Sequence, residues 1–187
     1  QHTTARDMAK IAAEAVKNDD FREAFGTVEY KVPETNRSEE RSLLTTNYLI
    51  DNHILQVYMD ERVTGGMQSY VSAASGAGLV CTAKSRDERM NYVMVVLGSP
   101  RTYTERGTVE KYGNFDDMQD LLQYVFNNFK INRVLYEGQA FEQFPVIGGT
   151  SDVVAQIQVN VDSILPVNAH MEILSREFDI IGGPTAP

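Results

Sequence analysis

Two stretches of the chain repeat apolar residues at helical intervals. Ala5, Met8, Ala9, Ala12, Ala15 and Val16 recur three and four residues apart, and Thr4 stands at capping-box distance from Asp7, so the pattern predicts an amphipathic helix running from Thr4 through Lys17. Met118, Leu121, Leu122, Val125, Phe126 and Phe129 form the clearer stripe, with Asn114 as its expected cap, and such a stripe is core that packs across a sheet. Between the two helices the period changes. Asp20 and Glu23 predict the cap of a short helix over Phe21–Phe25 that stops at Gly26, and residues 28–51 are irregular around Pro33 and a polar loop. Glu61–Met67, Gly78–Ala83 and Tyr92–Leu97 then read as strands, the last two joined by the charged turn Lys84–Arg89. A three-stranded antiparallel meander is the simplest arrangement.

Beyond Lys130 the pattern shortens into apolar or alternating runs at 133–137, 141–147, 153–161 and 170–174, punctuated by Gly138, Gly148-Gly149 and Pro166. Residues 1–130 and 131–187 are therefore expected to be separate units, the second a small β-rich module. The residues from Gly182 to Pro187 read as a frayed tail or linker. The fold class expected is α+β, an antiparallel sheet packed by helices and followed by that module.

Composition narrows the function classes. The 187 residues are 42% hydrophobic and 23% charged, within the range of globular domains. A net charge of −9, with no basic stripe, argues against nucleic acid as a partner. The single cysteine, Cys81, excludes an intrachain disulfide, and the scattered His2, His53 and His170 offer no zinc spacing, so neither a metal nor a cofactor is implied. No apolar run reaches the roughly 20 residues of a membrane span.

Several segments, taken in order, resemble the penicillin-binding D-alanyl-D-alanine carboxypeptidases, a family of serine peptidases. Gln1 to Ala9 is similar to the family's H-x-T-T-A-x-D-M/L-A helix start. Arg62 to Tyr70 is similar to V-x-G-G-K-T-G-Y-T, Ser75 to Ala83 to A-G-x-C-L-V-A-x-A, and Leu97-Gly98-Ser99-Pro100, Arg106 and Leu121–Phe126 to the closing strand and final helix. Gly138 and the strands after it resemble the β module that often follows. The resemblance implies a partial β-lactamase/transpeptidase-like fold, peptidoglycan stem peptides or β-lactams as partners, and an extracytoplasmic place in the bacterial cell envelope.

The family's chemistry needs a serine in S-x-x-K as acylating nucleophile, S-x-N as a proton relay and K-T-G to hold the substrate carboxylate. No serine here has a lysine three residues later. Tyr112-Gly113-Asn114 has the shape of Y-x-N but lies downstream of the third motif, out of family order. The third motif is degenerate. If the glycine pair is aligned, Met67 replaces the lysine and Gln68 and Ser69 follow; if Val63-Thr64-Gly65 is the motif, Val63 replaces it. No residue is expected to be catalytic, and Met67, Gln68, Ser69 and Tyr70 remain as a degenerate binding edge.

The expectation is thus a carboxypeptidase-like chain, the C-terminal part of such a protein, inactive alone. The alternative is a non-catalytic peptide-binding or scaffolding module of the same descent. A homo-oligomer, or a second chain supplying the missing half, is also implied, because an unpaired strand edge tends to pair. Other residues have plainer readings. Cys81 among Leu79, Val80 and Ala83 is a core residue, the acidic residues Asp116, Asp117 and Asp120 favour a helix start, and Gly65-Gly66 marks close strand approach.

Overall fold

The computed structural model describes residues 3–51, 53–146 and 148–169. Its first helix, α1, spans Ala5–Ala15, and Thr4 caps it: the Asp7 amide donates to Thr4 Oγ1 at 3.1 Å and the Thr4 hydroxyl donates to Asp7 Oδ2 at 2.9 Å. Helix α2 spans Asp19–Gly26, and its cap is Asn18 rather than Asp20. Asn18 Oδ1 accepts from the Phe21 amide at 3.0 Å, which leaves Asp19 and Asp20 in the first turn, where their charge suits the helix dipole.

Two antiparallel strands, β1 (Glu29–Val32) and β2 (Arg41–Leu44), occupy the stretch whose sequence pattern is irregular. Both are largely exposed, so the alternation that would announce them is absent. The expected meander follows as β3 (Val63–Tyr70), β4 (Ala77–Lys84) and β5 (Asn91–Ser99), in the order β3-β4-β5. A further hairpin, β6 (Arg101–Tyr103) and β7 (Val109–Tyr112), precedes helix α3 (Gly113–Asn128).

Register sorts the side chains of the meander onto two faces. Gly66, Gln68 and Tyr70 stand opposite Cys81, Leu79 and Ala77 and share the face that α3 covers. Gly65 and Met67, opposite Thr82 and Val80, share the face that α1 and α2 cover. The core lies on the α3 side, where Leu79, Cys81, Ala83 and Met94 meet Phe115, Met118 and Leu122 of α3 together with Leu49, Tyr58 and Val63. The stripe on α3 is therefore core. Asn114 does not cap that helix: it sits fully buried within the first turn, while the Gly113 amide donates to Pro100 O at 3.0 Å and Tyr112 takes the cap position.

The glycine pair in β3 is a packing requirement. A Cβ on Gly66 would stand 2.5 Å from Asn47 Nδ2 and 2.7 Å from Val80 O, and one on Gly65 would meet Phe25 at 2.9 Å. Both faces of the strand are approached too closely for a side chain.

Strand β8 (Phe129–Leu135) begins where α3 ends and pairs with β11 (Val161–Pro166), while β9 (Ala140–Phe144) pairs with β10 (Val153–Gln156). The run 153–161 is thus not one strand: β10 takes only Val153–Gln156, with a register shift at Ala155/Gln156, residues 157–160 lie outside any strand and Val161 begins β11, and Val153 and Val154 are both exposed rather than alternating. The predicted strand 170–174, His2, His170 and the tail lie outside the described residues. Asp162 on β11 accepts from Arg133 Nε at 2.8 Å and from Arg89 Nη2 at 2.8 Å, which ties the β4–β5 turn to the C-terminal strands.

Candidate functional site

Among the described residues β3 pairs only with β4, so its other edge is open. The four residues singled out from sequence lie at the end of this strand, but its pleat divides them. Met67, 64% exposed, faces a groove of about 530 Å³ lined by Phe21, Phe25, Leu43 and Leu44. Gln68 and Tyr70 face the opposite way. Ser69, exposed, packs behind the strand near Gly78.

On the Gln68 side stands Arg101, which the sequence pattern did not single out. Its Nη2 donates to Gln68 Oε1 at 2.9 Å, and its guanidinium carbon lies over the Tyr70 ring at 3.9 Å and over the Tyr112 ring at 5.1 Å. Arg101 Nε is buried without a hydrogen-bond partner, and no carboxylate pairs with Arg101 among the described residues. Above it the hydroxyls of Tyr70 and Tyr103 are 2.9 Å apart, and this hydrogen bond is the first cause that lifts the Tyr70 phenol above its ordinary value.

The β6–β7 hairpin places this cation. Arg101 is paired across it with Tyr112, and Thr104 and Thr108 close its turn with a 2.9 Å backbone hydrogen bond. Ser99, next to Pro100, donates to Asp117 Oδ2 on α3 at 2.6 Å. Tyr112 packs edge-on to Tyr48 at 5.3 Å, and its amide donates to the Tyr58 hydroxyl at 3.4 Å, with Phe115 beneath both tyrosines. Arg106, by contrast, is exposed in the hairpin turn.

The remaining candidates do not join this site. Cys81 is fully buried, and burial pushes its thiol up to about 12, so no thiolate nucleophile forms at neutral pH. Asn114 is also fully buried, without a partner for either side-chain polar atom, and so cannot relay a proton to a bound peptide. His53 donates its backbone amide to Asp51 Oδ1 at 2.7 Å. No group of three or more His, Cys, Asp or Glu that could hold a metal occurs among the described residues. No described helix is long and apolar enough to cross a membrane.

No protein-family model and no curated protein matches the chain. Solved structures do. Penicillin-binding protein 5 from Haemophilus influenzae is 20% identical over 90% of this chain and 43% of its own, with a TM-score of 0.58. A peptidoglycan synthesis regulatory factor, PBP3, from Streptococcus pneumoniae is 19% identical over 89% of this chain and 43% of its own, with a TM-score of 0.61. The D-alanyl-D-alanine carboxypeptidase DacD from Francisella tularensis is 16% identical over 89% of this chain and 48% of its own, with a TM-score of 0.53. The chain therefore has the mixed α+β fold of part of these penicillin-binding proteins. It spans less than half the length of each.

Proposed function

We propose that the chain is a non-catalytic peptide-binding module of the carboxypeptidase kind, which receives a peptide ending in a free carboxylate along the open edge of β3 and does not cleave it. The observation that carries this reading is Arg101, a cation without a carboxylate partner among the described residues, held against Gln68 on that edge. Withdrawing a guanidinium from water is costly unless an anion accepts its hydrogens, and its planar fork suits a carboxylate. The unpaired main chain of β3 suits an extended peptide, which adds as a strand. The names of two neighbours, a peptidoglycan synthesis regulatory factor and a D-alanyl-D-alanine carboxypeptidase, support a peptide ending in D-Ala-D-Ala as the class of ligand; stem peptides of the cell wall and an extracytoplasmic setting belong to the same reading, carried by the sequence resemblance. The apolar Met67, at the position where the resemblance places the motif's lysine, supports binding without hydrolysis. Residues 131–187 are read as an appended β module.

The test is a calorimetric titration of the protein with Nα,Nε-diacetyl-Lys-D-Ala-D-Ala and with its C-terminal amide, with the peptide recovered afterwards. Binding of the acid alone, recovered intact, is the expected result; equal affinity for acid and amide, or release of D-alanine, would refute the reading.

A second reading is favoured by one observation. Tyr30, Leu43, Leu44 and Met67 are 60%, 52%, 47% and 64% exposed around one groove, an apolar surface suited to a complementary polypeptide. In that arrangement the partner supplies the serine and the pair is a carboxypeptidase. Intact mass after incubation with a β-lactam decides it, because acylation adds the whole antibiotic to an active serine. An adduct on a two-chain species supports this reading, and its absence there rejects it.

A further inference from the structure

We propose that the apolar groove at Met67 is a second subsite of the same strand edge, which takes an uncharged side chain from the third residue of the peptide, counted from its carboxylate end. This deepens the peptide-carboxylate reading above and rests on it. Neighbouring residues of paired strands share a face of the sheet. An L-residue laid beside Met67 therefore turns its side chain toward the groove that Met67 faces, while Arg101 stands on the other face with Gln68 and Tyr70.

The place of the cation fixes the count. Arg101 lies 3.9 Å from the ring of Tyr70, the last residue of β3. A peptide that runs in the direction of β3 and brings its carboxylate there has its last residue beside Ser69, the one before it beside Gln68 and the third beside Met67. A peptide running the other way, with its carboxylate at Arg101, has its body beyond Tyr70, past the end of the strand, and makes little use of the open edge.

The lining of the groove selects the side chain. In a chain that is 23% charged, none of the residues around these 530 Å³ carries a charge. Leu43, Leu44 and Met67 are 52%, 47% and 64% exposed there, apolar surface that a long aliphatic side chain covers. An ammonium at the tip of that side chain would leave water with no counterion, whereas an amide has no charge to desolvate. Thr45 and Thr46, which also line the groove, carry hydroxyls that suit an amide. The ligand is thus a peptide ending in D-Ala-D-Ala whose preceding residue is acylated on its side-chain amine, and the reaction that supplies it is an acyl transfer to that amine.

The experiment is calorimetric titration of wild type with three acids that differ only in this side chain: Nα,Nε-diacetyl-Lys-D-Ala-D-Ala, Nα-acetyl-Lys-D-Ala-D-Ala and Nα-acetyl-Gly-D-Ala-D-Ala. Burial of the aliphatic chain predicts that the diacetyl peptide binds roughly tenfold tighter than the glycine peptide. The free amine, which can bend back toward water, is expected to bind about threefold or more weaker than the diacetyl peptide. Leu44→Glu sets a carboxylate in the groove at a half-exposed position, and once circular dichroism shows it folded, it should reverse the order of the two lysine peptides. If the three acids bind wild type equally and their C-terminal amides do not bind, the subsite is wrong and the carboxylate reading stands. An unchanged order in folded L44E also overturns the subsite. If none of the three acids binds wild type, both fall together.

Discussion

Arg101 and Gln68 lie 33 positions apart in the chain and 2.9 Å apart in space, and this contact brings a cation to the open edge of β3 on the face opposite Met67. The apolar Met67 at the lysine-like position therefore does not leave the edge without charge. The cation reaches it from a neighbouring hairpin.

Replacing Arg101 separates charge from shape. Arg101→Gln removes a charge-assisted contact of about 1.5–3 kcal/mol, so affinity for a carboxylate-terminated peptide falls roughly tenfold to a hundredfold. Arg101→Lys keeps the charge but loses the planar stack on Tyr70 and the two-point geometry, and binding is restored only in part. Calorimetry on the three proteins reads the order wild type, then Lys, then Gln. A lysine variant as weak as the glutamine one would show that the planar guanidinium's geometry, rather than the charge alone, matters.

Local chemistry made much of this architecture legible, and tertiary chemistry hid the rest. Thr4 and Asp7 announce α1 because a cap acts within one turn. The meander shows in short apolar runs bounded by turns, and α3 in its stripe. The hairpin β1–β2 is invisible because Glu29–Val32 and Arg41–Leu44 are mostly exposed and so do not alternate. Asn114 misleads because a cap-type residue lies buried one position inside the helix, with Pro100 O accepting from the Gly113 amide. Arg101 carries no local signal at all, since its role comes from Gln68, Tyr70 and Tyr112, each placed by a different pairing.

Gly66→Ala tests the close approach at the centre of β3. The added methyl group would stand 2.7 Å from Val80 O, a backbone atom fixed in the sheet, and 2.5 Å from Asn47 Nδ2, which is fully buried. Overpacking of this kind costs about 1–3 kcal/mol. The midpoint of urea unfolding should move down with little change in slope; an unchanged midpoint would mean that β3 shifts freely.

Asp60 predicts a pH dependence. Burial works to raise its carboxyl, but hydrogen bonds from the Arg62 side chain and backbone outweigh this and hold it below its ordinary 3.8. A carboxyl lowered in the folded state contributes stability that is fully present above the unfolded value and is lost as pH falls through the folded one. Stability against urea should therefore decline below about pH 4, and Asp60→Asn, with no proton to gain, should flatten that decline. Asp87 and Asp162 are lowered too and titrate in the same range, so the decline becomes shallower without vanishing. An identical slope in the variant would remove Asp60 from the account.

Cys81 reports on the opening of the sheet. It lies at the centre of β4, opposite Gly66 on one side and Met94 on the other, fully buried, with burial pushing its thiol up to about 12. Disulfide exchange proceeds through the thiolate and needs access, and the folded protein denies both. A disulfide reagent at pH 8 should therefore leave Cys81 unlabelled in the native protein and label it at a rate that rises with urea along the unfolding curve. Labelling that runs ahead of the loss of circular dichroism would instead locate a partial opening at β3, the edge strand that covers one side of β4. Adding the carboxylate peptide then discriminates further: if it binds along β3, it closes that edge and slows the labelling in proportion to its occupancy, whereas its amide leaves the rate unchanged.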